Sequence, residues 1–191
     1  MKLKIQLRTC GLNVECRDVK DASGNVTGHL FQDESGTKLL QVNKNGDLVD
    51  LFAYRTVDMK CPHVKDEGGV VFDFNLIPLG VAMKLPDGMK ANVYPRSSLF
   101  SKKGVILANS VGQIDNSYCG DSDVWMFGAL AFNNTTIEEG ERIAQFEVVP
   151  GKNATPWQKL KWLLSDGYEF EFVDSLGDGN RGGIGSTGGY R

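Results

Sequence analysis

The stretch "GQIDNSYCGD", residues 112–121, sets a carboxylate and an aromatic ring three residues apart between two glycines. Gly112 and Gly120 allow a turn, so Asp115 and Tyr118 are presented at a fixed spacing on a backbone that is not a core strand. A carboxylate so placed can orient and deprotonate a water molecule. A flat ring beside it can exclude a single substituent of a bound ligand. Three further stretches carry anion-binding chemistry. "YPRSSLFSKKG" holds Arg96, Ser97 and Ser98 after a proline, a fixed cation beside two hydroxyls that suits a phosphate. "GERIAQF" puts Gln145 in a β-run, and "RGGIGSTG" supplies Arg181, Ser186 and Thr187 among glycines, in a spacing that matches no P-loop.

The elements that must position these groups are mostly strands. Leu3, Ile5 and Leu7 alternate with polar residues, the period of a half-buried strand. From Asp21 to Tyr54, "DASGNVTG", "DESGT" and "NKNGD" punctuate short apolar runs and predict hairpins. "VVFDFNLI", "GVILAN", "DVWMFGALAF" and "RIAQFEVV" read as further strands. One helix is predicted in "TPWQKLKWLLSDG": Thr155 caps it, Pro156 opens it, Gln158 completes a capping box and Gly167 stops it. Trp157, Leu160 and Leu164 share a face expected to pack on the sheet.

With 191 residues, 41% of them hydrophobic, the chain suits one domain spanning 1–191. Residues 10–60 read as an additional hairpin-rich region, and 177–191 as a flexible Gly-rich arm with too little apolar matter to order itself. The net charge of −3 and the lack of a basic stripe argue against extended nucleic acid as a partner. The N-terminal "MKLKIQLRTC" lacks the apolar run of a signal peptide, and no stretch approaches membrane-spanning length. A cytoplasmic protein with four reduced cysteines is the expectation, since their spacing matches neither a disulfide scaffold nor a metal site.

In combination and order these stretches resemble the motifs of the trimeric dUTPase family (dUTP diphosphatases), over roughly residues 66–191. "PRSSL" is similar to the second motif. "NSVGQIDNSYCG" is similar to the third, with Asn109, Gly112, Ile114, Asp115, Tyr118 and Gly120 in register, and "GERIAQ" to the fourth. "VVFDF" is taken as the first motif, with Asp73 in place and Val71 where the family usually has glycine. The resemblance implies a distorted jelly-roll-like β-barrel, a homotrimer, and Mg²⁺-dependent hydrolysis of dUTP to dUMP and pyrophosphate. It casts Asp115 as the base that activates water for attack on the α-phosphate, and Tyr118 as the filter against a 2′-hydroxyl. Asn109, Gly112 and Ile114 would shape the hairpin that reads uracil. Arg96, Ser97, Ser98 and Gln145 would bind phosphates, and Asp73 would reach the metal through water. Arg181, Ser186 and Thr187 would close over the triphosphate from an arm that crosses between subunits. The tail is two residues shorter than the family's last motif and carries Ile184 where the base-stacking aromatic usually stands. Tyr190 is the nearest aromatic beyond it. Two alternatives remain open: a dCTP deaminase-like enzyme, whose ring chemistry needs a Glu absent from "DVWMFGALAFNN", and a weakly catalytic dUTP-binding regulator.

Overall fold

The computed structural model describes residues 1–10, 13–65, 68–177 and 179–182. Ile184, Ser186, Thr187 and Tyr190 lie outside the described residues. Along the chain run β1 (Leu3–Thr9), β2 (Val14–Lys20), β3 (Val26–Asp33), β4 (Lys38–Asn43), β5 (Val49–Phe52) and β6 (Val57–Met59). Then come β7 (His63–Val64), β8 (Val70–Val71), β9 (Phe74–Pro78), β10 (Val81–Lys84), β11 (Met89–Pro95) and α1 (Leu99–Lys103). The rest are β12 (Val105–Leu107), β13 (Gly112–Ile114), β14 (Met126–Ala131), β15 (Thr135–Ile137), β16 (Arg142–Pro150), α2 (Pro156–Leu163) and β17 (Tyr168–Phe172). The chain is mostly β, as the short β-branched and aromatic runs require.

The largest sheet has seven antiparallel strands in the order β13-β11-β16-β5-β4-β3-β2. Its two end strands are not paired to each other, so it stays open, and no closed barrel forms among the described residues. Three-stranded sheets β10-β1-β17 and β12-β14-β9 complete the packing, with β1 and β17 running parallel. Between them Trp125, Phe127 and Phe146 are fully buried, the Trp125 and Phe146 rings meeting edge to face at 5.1 Å. The hairpin-rich region before Tyr54 is continuous with this core: Leu39, Leu40, Val49 and Leu51 are buried, and Phe31 packs on Phe170 and Phe172 of β17.

The helices depart from expectation twice. A second helix, α1, forms over five residues, anchored by buried Leu99 and stopped by Gly104, whose φ of 66° suits glycine and whose N–H reaches Phe100 O. α2 starts as predicted, with Gln158 N donating to Thr155 Oγ1 and Thr155 N donating to Gln158 Oε1. Its buried face is not the predicted one. Trp157, Leu160 and Leu164 are 73%, 42% and 63% exposed, and Trp162 turns inward instead. The Trp162 indole N–H donates to Val148 O at 2.7 Å on β16, which fixes the roll of the helix. At 3.6 residues per turn Leu160 and Leu164 each stand about 200° from Trp162, so they must point away. Accordingly, Trp162→Ala should destabilise the fold by about 2–3 kcal/mol through lost packing and the lost hydrogen bond. Trp157→Ala should stay within about 0.5 kcal/mol of the parent. Urea unfolding of the two variants checks the pair.

Candidate active site

The turn that carries Asp115 hangs from two strands that a glycine brings together. β13 pairs with β11 through Gly112 opposite Val93 and Ile114 opposite Ala91. A Cβ on Gly112 would lie 3.3 Å from Val93 Cβ, so a side chain would press the strands apart. Before β13 the chain reverses at Asn109 and Ser110, with Ser110 N donating to Leu107 O and Ser110 in left-handed backbone at φ 61°. Asn109 is exposed at this tip, and Ile114 packs against the core.

Asp115 follows directly and is exposed. Its carbonyl accepts from Tyr118 N at 3.0 Å, closing the turn. Asn116, which the sequence did not single out, pins that turn by donating through Nδ2 to Leu85 O and Pro86 O. Its signal was a short amide side chain inside a turn. Tyr118 lies partly buried against the core, its hydroxyl donating to Val124 O at 3.0 Å. Burial, then the nearby Asp123 carboxylate, push its phenol above the usual range, so the ring stays neutral. Asp123 is itself 1% exposed. Burial alone would raise its carboxyl, but N–H donors from Arg181, Gly120 and Gly182 outweigh that and hold it low. Arg181 completes the cluster: its Nη1 donates to Asp115 Oδ2 at 2.9 Å and to Ser117 Oγ at 2.8 Å.

A second cluster occupies the other end of β11. Arg96 donates through Nη1 to Asp50 Oδ1 at 2.6 Å and to Gln145 Oε1 at 3.1 Å. Arg142 Nη1 reaches the other oxygen, Asp50 Oδ2, at 3.0 Å, and Asn43 Nδ2 reaches the same oxygen at 2.8 Å. Asp50 is fully buried on β5. Two cations and an amide satisfy it, and it holds both guanidinium groups at the strand ends. Asp50 is the residue that sequence reasoning missed. Its signal was a carboxylate inside the apolar run "LVDLFAY", where only a cationic partner makes burial tolerable. Ser97 and Ser98 follow Arg96 directly and lead into α1, Ser98 standing at its N-cap position without a side-chain cap bond.

Of the sequence-predicted residues, the structure therefore gathers Ile114, Asp115, Tyr118 and Arg181 at one end and Arg96, Ser97, Ser98 and Gln145 at the other; Gly112 stands between them opposite Val93, and the antiparallel register carries Asn109 from there toward the Arg96 end. Arg96 lies five residues along β11 from Ala91, the partner of Ile114, or about 17 Å at 3.4 Å per residue. Asp73 is bonded outside both clusters: its Oδ2 accepts from Lys60 N at 2.8 Å beside β9. Among the described residues, no three His, Cys, Asp or Glu side chains converge on a metal-sized point. No helix of the described chain is long and apolar enough to cross a membrane.

Comparison with known proteins bears on what such clusters do. The dUTPase family model matches residues 70–162. An SPbeta prophage-derived deoxyuridine 5'-triphosphate nucleotidohydrolase of Bacillus subtilis (strain 168) is 43% identical over 158 residues, covering 83% of this chain and 94% of that protein. The deoxyuridine 5'-triphosphate nucleotidohydrolase of Rickettsia typhi is 29% identical over 177 residues, covering 93% and 97% of the two chains. Among solved structures, a dUTPase from Streptococcus mutans superposes with a TM-score of 0.49 at 24% identity, covering 59% of this chain and 84% of that one. With a relative this similar over nearly its whole length, the chain belongs to the dUTPase family.

Proposed function

We propose that the protein hydrolyses dUTP to dUMP and pyrophosphate in sites shared between copies of the chain. The observation that carries the reading is the separation of the two clusters. The Asp115 turn has a base and a ring, with Arg181 paired to the base. The Arg96 end has the cations but its carboxylate, Asp50, is saturated and cannot act as a base. A rigid strand keeps them about 17 Å apart, farther than one α-phosphate can bridge. Head-to-tail association of copies brings the Asp115 end of one chain to the Arg96 end of the next, and such heterologous contacts close as rings. Three copies, in the jelly-roll-like arrangement of the family the chain resembles, is the ring we adopt.

In such a site Asp115 takes a proton from water as the water oxygen bonds to the α-phosphorus. The bond from that phosphorus to the α,β-bridging oxygen breaks, and pyrophosphate leaves with the electron pair. Asp115 suits the task because it is exposed and held by a closed turn. Tyr118 is fixed at its hydroxyl, so its ring cannot swing aside for a 2′-hydroxyl. Asn109 at the hairpin tip, with neighbouring backbone, reads the uracil edge. Arg96, with Ser97, Ser98 and Gln145, neutralises and positions phosphates that Asp50 keeps it aimed toward. Ser186 and Thr187 extend the phosphate contacts of Arg181.

Mg²⁺ is part of the reading. The described residues fit it by offering isolated carboxylates, and Mg²⁺ is commonly held by substrate phosphates and waters with one or two carboxylates. Asp73, with one oxygen taken by Lys60 N–H, would contact it only through water. The ion supplies charge neutralisation on the triphosphate when bound. A cytoplasmic location belongs to the same reading. A dCTP deaminase is disfavoured because β14, "MFGALA", carries no Glu to serve a cytosine ring.

Pyrophosphate release measured separately with dUTP, UTP, dTTP and dCTP tests the assignment, and release from dUTP alone is the expected result. Asp115→Asn should bind dUTP within about tenfold of the parent and lose at least about a hundredfold in turnover, read by calorimetry and by pyrophosphate release. Near-normal turnover would remove Asp115 from the mechanism. Tyr118→Ala should begin to cleave UTP; continued exclusion of UTP with dUTP still cleaved would place the sugar filter elsewhere. Asp50→Ala should cost about 1–3 kcal/mol in urea unfolding, because it removes the charge-assisted hydrogen bonds of Arg96, Arg142 and Asn43 while both guanidinium groups can still reach water.

A further inference from the structure

The ladder between β13 and β11 stops at Ile114, one residue short of Asp115, so sheet pairing does not fix the carboxylate. The next residue does. Asn116 is half-buried, and its Nδ2 donates to Leu85 O at 3.2 Å and to Pro86 O at 3.0 Å, in the connection between β10 and β11. Two bonds from one amide to successive carbonyls set both the place and the rotation of the side chain. Asp115 lies one planar peptide unit away, so any shift of the Asn116 backbone is passed on to it. The connection that receives Asn116 is itself clamped. Leu85 is buried, and Met89 N donates to Pro86 O at 3.0 Å, closing a tight turn in which Gly88 stands at φ 76°, in the left-handed region. Behind that turn Gly151 N donates to Gly88 O at 2.7 Å, and a Cβ on Gly88 would meet Gln158 Oε1 at 2.5 Å. The same oxygen belongs to the capping box of α2, where it accepts Thr155 N at 2.8 Å and Thr155 Oγ1 at 3.1 Å. The start of α2, the turn at 85–89 and the turn that carries Asp115 therefore stand in series, and Asn116 joins the last two.

We infer that Asn116 is a positioning residue for the hydrolysis: docked on Leu85 O and Pro86 O, it holds the Asp115 carboxylate where it can take the proton of the attacking water. The inference rests on the proposal that Asp115 is the base. An amide nitrogen carries two hydrogens, and both have carbonyl partners within the chain, so Asn116 offers the nucleotide no donor and its effect passes through Asp115. An exposed carboxylate on a turn without this tie samples orientations that do not face the water. Fewer bound complexes then stand in a reactive geometry, while the contacts that bind the nucleotide are unchanged. The loss falls on kcat rather than on affinity.

Two substitutions and a double-mutant cycle test the role. Asn116→Ala removes the docking bonds, and Asn116→Leu removes them while keeping the bulk of the side chain. Each is compared with the parent for pyrophosphate release from dUTP and for calorimetric binding of the α,β-imido analogue of dUTP, whose stoichiometry counts folded sites. The expected result is a loss of about ten- to a hundredfold in kcat per binding site, with the Kd of the analogue within about threefold of the parent. Turnover per binding site equal to that of the parent in both variants overturns the inference. So does a loss of binding large enough to account for the loss of turnover, which is the mark of a merely structural residue. The double variant Asp115→Asn/Asn116→Ala then reads the route. If Asn116 acts through Asp115, the double variant turns over as slowly as Asp115→Asn alone, whereas multiplication of the two separate losses overturns the inference. Near-normal turnover of Asp115→Asn by itself is a different result, since it removes the base and the positioning role falls with it.

Discussion

A carboxylate with no access to solvent is the constraint around which the rest of the molecule is arranged. Asp50 sits on β5 between Val49 and Leu51, both buried, so it must carry its charge inside the sheet or lose it. Arg96 and Arg142 arrive from β11 and β16, neighbouring strands of the same sheet, and occupy its two oxygens. Without the two guanidinium groups Asp50 would be a charge stranded in the interior. The strand order β11-β16-β5 is thereby coupled to the placement of Arg96 and Arg142: the interaction that makes a buried acid tolerable also fixes both cations at the sheet end. Asn43 joins from β4, which extends the coupling into the N-terminal hairpins.

The other end of β11 solves a different problem, that of presenting an exposed carboxylate, Asp115, without letting it wander. The solution is made from backbone. Gly112 admits β13 close to β11, Asp115 closes a turn with Tyr118, and Asn116 ties the turn to the carbonyls of Leu85 and Pro86. Asp123 then gathers three N–H groups from two segments, joining the far side of the loop to the chain end. A second buried acid thus repeats the logic of Asp50, with peptide donors where the first uses guanidinium groups.

The helix α2 shows how weak an amphipathic pattern is when a single directional bond opposes it. Trp157, Leu160 and Leu164 make a coherent stripe, yet they face solvent, because Trp162 carries an indole N–H that reaches a carbonyl on β16. The Trp162 indole gains from such a partner, and an aliphatic side chain has no donor to offer in its place. The gain from one anchored aromatic ring decided the roll of a helix only eight residues long.

Local chemistry is legible in the order of the residues. The capping box at Thr155, the strand periodicity of Leu3, Ile5 and Leu7, and the glycine-bounded turn carrying Asp115 and Tyr118 all depend on neighbours within a few residues, and all form as the pattern predicts. Long-range choices are not legible in that way. Which acid would meet Arg96 depended on strand order, and Asp50 lies 46 residues away along the chain. Which face of α2 would be buried depended on one carbonyl of β16. That Asp115 and Arg96 stand at opposite ends of one strand depended on the register of β13 against β11. Sequence by itself determined which groups could do the chemistry, since that is a matter of residue type and near spacing; only the tertiary structure decided which of them meet, because contacts between distant strands are set by burial and pairing across the whole fold.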